Sequence, residues 1–197
     1  MSSKHNVRVA GKTIETTVTK RAAVVTDWVA DIRSKHAGRS TVVVGLDREW
    51  RPNTKPNDDN KSATLQLCVD DRCLIFQLLH ADAIPEALKR FMADPTFVFA
   101  GVEVAGDVAK LSAEYGLGCA KVADLRELAR AKWPGKFDHA AGLKELAREI
   151  CGLEVAKSDE VRRSDWAAAE LSGAQVEYAC IDAYASFRVG QALILGA

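Results

Sequence analysis

Thr41-Val-Val-Val-Gly-Leu46 is an unbroken apolar run weighted to β-branched residues, and it ends abruptly at Asp47-Arg-Glu49-Trp50. A strand apolar at every position is covered on both faces, so this one belongs at the centre of a sheet with helices above and below it. Side chains alternate between the faces of a strand. Val43, Gly45, Asp47 and Glu49 therefore share one side, and two carboxylates leave the end of a buried strand together. Like charges so close repel unless a cation answers them. An exposed acidic strand end carries the same Asp-x-Glu pattern and is the commoner source of it.

Downstream, residues 51–62 (RPNTKPNDDNKS) hold two of the five prolines and no large apolar side chain. This is a loop, placed to form a rim beside the acidic strand end. Residues 64–69 and 72–78 read as strands joined by an Asp70-Asp71 turn, which makes the first three core strands an antiparallel meander. Upstream, alternating stretches at 6–9 and 14–18 flank Gly11-Lys12 as a hairpin. A helix over 22–32 gathers Val25, Trp28, Val29 and Ile32 on one face. After the meander, helices are expected over 85–92, 107–115, 125–132 and 140–151, with short strands at 97–102 and 121–123. Gly116 and Gly118 close the helix that contains Asp107. A last helix spans 173–195, opened by the capping-box spacing Ser172-Gly-Ala-Gln175. Antiparallel strands followed by alternating elements give an α/β fold, a mixed sheet flanked by helices on both faces.

With 197 residues and neither repeat nor linker, the chain is long enough for one domain with a buried core. Hydrophobic residues make up 48% and charged ones 27%, which excludes a disordered chain. No apolar run approaches the roughly 18–20 residues that span a bilayer, and no secretory signal opens the sequence. The expected compartment is nuclear or cytoplasmic. Lys+Arg and Asp+Glu are equal at 27 each, so net charge does not itself point to nucleic acid. The five cysteines form no C-x-x-C pair and the four histidines are scattered, which argues against structural zinc. Cys68 and Cys73 face each other across the Asp70-Asp71 turn. They read as a redox-sensitive bridge or as two buried thiols, and a reducing compartment favours the thiols.

The last helix is apolar on two sides. Val176, Cys180, Ala183, Phe187, Gly190 and Ile194 form one stripe, and Tyr178, Asp182, Ala185 and Val189 form another. A helix apolar on opposite sides is packed on both, so Asp182 faces inward and needs a buried cation, either Lys/Arg or a metal. Tyr178 precedes it by four residues and addresses the same spot. Asp107 follows an apolar strand that turns through glycine, and alone it reads equally as a first-turn carboxylate complementing a helix dipole. Carboxylates without a His or Cys cluster suit Mg2+ or Mn2+ better than zinc. Two such ions, roughly 3.5–4 Å apart, clamp in-line phosphoryl displacement.

Gly45-Leu-Asp47-Arg-Glu49-Trp50, Ala63-Thr-Leu-Gln-Leu67, Gly101-Val-Glu-Val-Ala-Gly-Asp107, Ser164-Asp-Trp166 and Tyr178-Ala-Cys-Ile-Asp182 follow one another along the chain. Each is loose alone. In this order and at these separations they resemble the DEDDy exonucleases, and within them the Werner-syndrome-type exonuclease domains, including the small stand-alone plant members. The resemblance implies an RNase H-like fold, with residues 1–197 as a single 3′-5′ exonuclease domain that removes 5′-mononucleotides from the 3′ end of nucleic acid, DNA being the expected substrate. It further implies that Asp47, Glu49, Asp107 and Asp182 bind two divalent metal ions, Mg2+ or Mn2+. One ion would activate the attacking water and the other stabilise the leaving 3′ oxygen. Tyr178 would hold that water in line; a phenol of ordinary pKa near ~10 orients rather than deprotonates at neutral pH.

The chain also departs from the family. Some Werner-type domains carry Trp two residues after the second-motif Asp, where this chain has Ala109. Trp50 is the alternative stacking residue, with core packing as its other reading. Asp124 falls where relatives have an acidic residue and is read as a group supporting the metal ligands. Nucleic-acid contacts are expected from Trp50, Leu67, Arg130, Lys132, Lys157 and Arg163. Of these the basic ones join Lys121, Arg126, Lys136 and Arg162 in a phosphate-contacting edge, which reads equally as a solvated surface. No G-x-x-x-x-G-K-[ST] is present, so a helicase or repair protein is a partner to be recruited in trans. The competing function is a catalytically silent nucleic-acid- or protein-binding module on the same fold. A carboxylate-pair glycosidase is a third, which insensitivity to EDTA would reveal.

Overall fold

The computed structural model describes residues 2–156 and 158–196. In chain order its elements are strands β1 (Ser3–Val9) and β2 (Lys12–Thr19), helix α1 (Ala22–Lys35), strands β3 (Val42–Trp50), β4 (Ser62–Val69) and β5 (Arg72–Phe76), helix α2 (Glu86–Met92), strand β6 (Phe97–Gly101), helix α3 (Val104–Tyr115), strand β7 (Val122–Asp124), and helices α4 (Leu125–Lys132), α5 (Leu143–Cys151), α6 (Asp159–Arg162) and α7 (Gly173–Gly190). The strands form one 7-stranded sheet in the order β1-β2-β5-β4-β3-β6-β7. β3, β4 and β5 are the expected antiparallel meander, and β6 and β7 follow parallel to β3. The N-terminal hairpin joins the same sheet, with β2 parallel to β5 from Glu15↔Arg72 to Thr19↔Phe76. That docking buries Ile14, Thr16 and Val18, and Glu15 accepts a 2.5 Å bond from Arg72.

Both faces of β3 are covered. Val42 and Val44 stand beside Phe97 and Phe99 of β6, and on that side Phe91 of α2 packs edge-on to Phe99 and to Trp28 of α1. Val43, Gly45 and Ala100 face α7. A Cβ on Gly45 would lie 2.0 Å from the Ala183 carbonyl oxygen and 2.6 Å from the Phe187 nitrogen, so the helix backbone rests directly on the strand. Gly190 makes the reciprocal approach, its missing Cβ leaving room for Val43 and Ala100. These two contacts fix the height and rotation of α7 over β3, and with them the position of Asp182.

Most helix starts lie within a few residues of expectation. The capping box is formed: Ser172 Oγ accepts from the Gln175 N–H while Gln175 accepts from the Ser172 N–H. The central strand runs on past Leu46 to Trp50, because β4 pairs with it as far as Ser62, with a bulge after Glu49. The last helix is α-helical to Gly190 and then opens into a π-helical turn, Gln191–Leu195. α5 begins at Leu143 rather than 140, and the short α6 had no sequence expectation. No helix among the described residues is long and apolar enough to cross a membrane.

Candidate active site

The acidic end of β3, the middle of α7 and the start of α3 converge. Asp47 is half-buried, and Glu49 and Asp182 are buried. One carboxylate oxygen from each of these three lies within 4.8 Å of the others. Burial above all, then the charges of Glu49, Asp182 and Asp107, push the Asp47 carboxyl well above its ordinary range. Such a group resists ionising until a cation joins it. Across the β3–β4 ladder Gln66 stands opposite Asp47 and Thr64 opposite Glu49, on the same face. Gln66 Nε2 is a buried donor without a hydrogen-bond partner. All the clustered donors are hard oxygens, which fits a divalent ion such as Mg2+ or Mn2+.

Tyr178 stands one turn before Asp182 on α7 and packs against the buried Trp166, ring centroids 5.9 Å apart. Burial, then the charges of Asp182, Glu49 and Asp47, push its phenol up, so it stays protonated. Asp107 lies in the first turn of α3, outside the three-oxygen group. Its Oδ1 accepts a 2.8 Å bond from Arg48 Nε. Burial raises its carboxyl against the opposing pull of Arg48. The structure thus unites three of the four expected carboxylates with Tyr178 and sets Asp107 beside them on an arginine.

Asp47, Arg48, Glu49, Tyr178 and Asp182 line a cleft of ≈ 580 Å³ with Trp50, Pro52, Asn53, Arg162 and Arg163. A smaller cleft of ≈ 240 Å³ reaches Asp47 and Asp182 from the other side, past Val102, Gly142, Leu143 and Ser186. The rims are tied together. Arg51 makes a two-pronged bond to Asp165, 2.9 Å on each prong. Gln175 Nε2 donates to Ser164 Oγ and the Asp165 carbonyl, and Trp166 Nε1 donates to the Arg162 carbonyl.

The expected nucleic-acid contacts divide. Trp50, 38% exposed, and Arg163 line the cleft, as does Arg162. Leu67 is corrected: it is 0% exposed, opposite Leu46 and Leu74 on the face away from the carboxylates, and packs the core. Arg130 spends its guanidinium on the carbonyls of Phe137, Asp138 and His139. Lys132 donates to the Ala192 carbonyl and covers Trp133. Arg126 and Lys136 are paired with Glu103 and Glu149. Asp124 caps α4, accepting from the N–H groups of Arg126 and Glu127. Lys157 lies outside the described residues. Cys68 and Cys73 do stand opposite each other, as free buried thiols whose burial pushes both up. Arg48 had escaped notice as a functional residue. Its signal was a lone cation between two acids in a strand, where alternation sends it to the opposite face.

A mixed sheet in this order, with a carboxylate trio at the end of its central strand, defines an RNase H-like nuclease fold. More narrowly, the family model described as 3′-5′ exonuclease matches residues 18–195, and the chain belongs to that family. It is 36% identical over 180 residues to an Arabidopsis thaliana 3′-5′ exonuclease, covering 90% of this chain and 60% of that one. It is 31% identical to the mouse bifunctional 3′-5′ exonuclease/ATP-dependent helicase WRN, covering 77% of this chain and 11% of that one. Among solved structures, Escherichia coli RNase D superposes with a TM-score of 0.74 at 18% identity, over 90% of this chain and 44% of that one. The EXD2 exonuclease domain soaked in Mn superposes with a TM-score of 0.52 at 27% identity, over 92% and 89%.

Proposed function

We propose that the chain is a metal-dependent 3′→5′ exonuclease that hydrolyses the terminal phosphodiester of a nucleic acid, DNA in the first instance, and releases 5′-mononucleotides. The observation that carries this reading is the trio of Asp47, Glu49 and Asp182, whose oxygens gather within 4.8 Å at the floor of a cleft. Asp47, Glu49 and Asp182 would hold one divalent ion, Mg2+ or Mn2+, and Asp47 with Asp107 a second. When bound, such ions activate water and stabilise the leaving 3′ oxygen. The exonuclease domain of EXD2, a relative at 27% identity, was solved soaked in Mn, which supports the choice of metal.

The side chains divide the remaining work. Tyr178, kept protonated by burial and the neighbouring carboxylates, orients the attacking water by hydrogen bonding and does not take its proton. Trp50 offers an exposed ring to the terminal base, and Arg162 and Arg163 offer charge to the phosphates. Residues 1–197 act as one exonuclease domain, with a helicase or repair protein opening duplexes for it in trans. The test is a 5′-labelled duplex with a recessed 3′ end, in Mg2+, Mn2+ or EDTA, run beside the matching RNA. A metal-dependent ladder of shortened products on DNA is the expected result. Binding without degradation in every metal would move the assignment to a silent binding module, and faster RNA shortening would reverse the substrate.

A further inference from the structure

Along Ala63-Thr-Leu-Gln-Leu-Cys68 of β4 the leucines alternate with Thr64, Gln66 and Cys68, and these last three share the sheet face of Asp47 and Glu49. All three are 0% exposed. Gln66 stands between Asp47 on β3 and Ile75 on β5, and Thr64 stands opposite Glu49. Thr64 Oγ1 donates to Gln66 Oε1 at 3.2 Å, which engages the amide oxygen and leaves the amide nitrogen to find an acceptor of its own. It has none. The other buried side-chain nitrogens without a partner among the described residues, Trp28 Nε1 and His36 Nδ1, belong to α1 and its C-cap. Gln66 alone of the three shares a sheet face with the carboxylates.

A buried donor is rarely left unsatisfied, because it has given up its bonds to water. Around Gln66 the Thr64 hydroxyl is already engaged and Ile75 offers no acceptor, whereas Asp47 lies directly across the ladder, at the roughly 4.5–5.5 Å between Cβ atoms of paired residues. The oxygens of the trio suit a hard divalent ion, and a carboxylate that grips such an ion keeps lone pairs for a neighbouring N–H. We propose that Gln66 is a positioning residue of the metal site, whose Nε2–H closes on the Asp47 carboxylate when the trio binds a divalent ion and so fixes that carboxylate against the ion. The proposal rests on the metal-dependent reading above. Without metal the same amide stays unpaired, so Gln66 weakens the metal-free fold and strengthens the loaded one.

The test follows Mg2+ and Mn2+ binding to the full chain without nucleic acid. In a nitrogen–proton NMR spectrum of wild type, the Gln66 side-chain amide, one of four from glutamine, should move downfield as Mg2+ is added, and should not move in Asp182→Asn. Gln66→Met with Thr64→Val removes the amide together with the hydroxyl bonded to it, in closely matched shapes. This double variant should bind Mn2+ about 10- to 100-fold more weakly by electron paramagnetic resonance, and without metal it should melt no lower than wild type. A glutamine that only packs the sheet gives the reverse, a lower Tm and an unchanged Mn2+ affinity. If Mg2+ binds while the Gln66 amide stays in place, or if the folded variant keeps wild-type affinity, the positioning role is overturned and the exonuclease reading stands. The wild-type spectrum decides the matter if the variant does not fold. Wild type binding neither ion would bring down the metal-dependent reading and the positioning role with it.

Discussion

Gly45→Ala adds one methyl group where the backbone of α7 rests directly on β3. The new Cβ would sit 2.0 Å from the Ala183 carbonyl oxygen and 2.6 Å from the Phe187 nitrogen, where ordinary contact begins at 3.4 Å. Both obstacles are backbone atoms of a buried helix, so no rotamer change relieves the clash. α7 must lift from β3 by roughly 1 Å or more, against a core packed to crystal-like density. Overpacking a core costs about 1–3 kcal/mol and sometimes more. A shortfall this large belongs at the upper end, about 3 kcal/mol, which lowers Tm by about 6–12 °C in a domain of this size. Asp182 rides on the displaced helix, and a misplacement of about 1 Å at a reacting centre lowers turnover about 10²-fold. The assay is a thermal melt followed by nuclease activity well below the new Tm, with Gly106→Ala as control. Gly106 is helical with nothing within 4 Å of a built Cβ, so the same methyl there should stabilise by about 0.4–1 kcal/mol. A Gly45→Ala protein that melts within about 2 °C of wild type with full activity would refute the packing argument.

In the metal-free protein, folded Asp47 holds its proton more tightly than the unfolded chain does, because burial and three neighbouring carboxylates raise it. Its contribution to stability is complete below the unfolded pKa and is lost as pH rises through the folded one. Wild type should therefore lose Tm relative to Asp47→Asn as pH rises above the ordinary carboxylate range, and a relative gain would contradict the shift. Mn2+ at about a hundred times its Kd should add about 2.7 kcal/mol to wild type, seen as a rise in Tm that Asp47→Asn lacks. Tyr178→Phe should lower kcat about 10²-fold with KM little changed, and a loss confined to KM would make Tyr178 a binding residue instead. Trp50→Ala should weaken oligonucleotide binding by about 1–3 kcal/mol in a fluorescence anisotropy titration, and unchanged binding would return Trp50 to a packing role.

The residues that build the site could be read where local pattern and packing agree. An unbroken apolar run made β3 a central strand, and two apolar stripes on α7 made Asp182 an inward carboxylate; both stand so in the structure. What lay beyond reach was choice of partner. Nothing in β1 or β2 encodes pairing with β5, since that register depends on a strand 57 residues away, as the Arg72–Glu15 bond shows. Asp107 could be placed at a strand-to-helix turn, but the arginine that holds it sits 59 residues earlier in the chain. Leu67 was assigned by motif where alternation would have served better. Gln66 faces the carboxylates across the ladder, so its neighbour must face away. Arg130 and Lys132 were counted by charge, while their hydrogen bonds to carbonyls are a feature of the folded loops alone.

The most direct measurement follows a 3′-end-labelled single-stranded oligonucleotide in Mn2+ and identifies the first labelled product, for wild type and for Asp182→Asn with its fold verified by circular dichroism. A 3′→5′ exonuclease working at these carboxylates releases the label first as a 5′-mononucleotide, and Asp182→Asn loses that activity about 10³-fold or more. A first product longer than one nucleotide, a product carrying a 3′-phosphate, or a fully active Asp182→Asn would contradict the assignment.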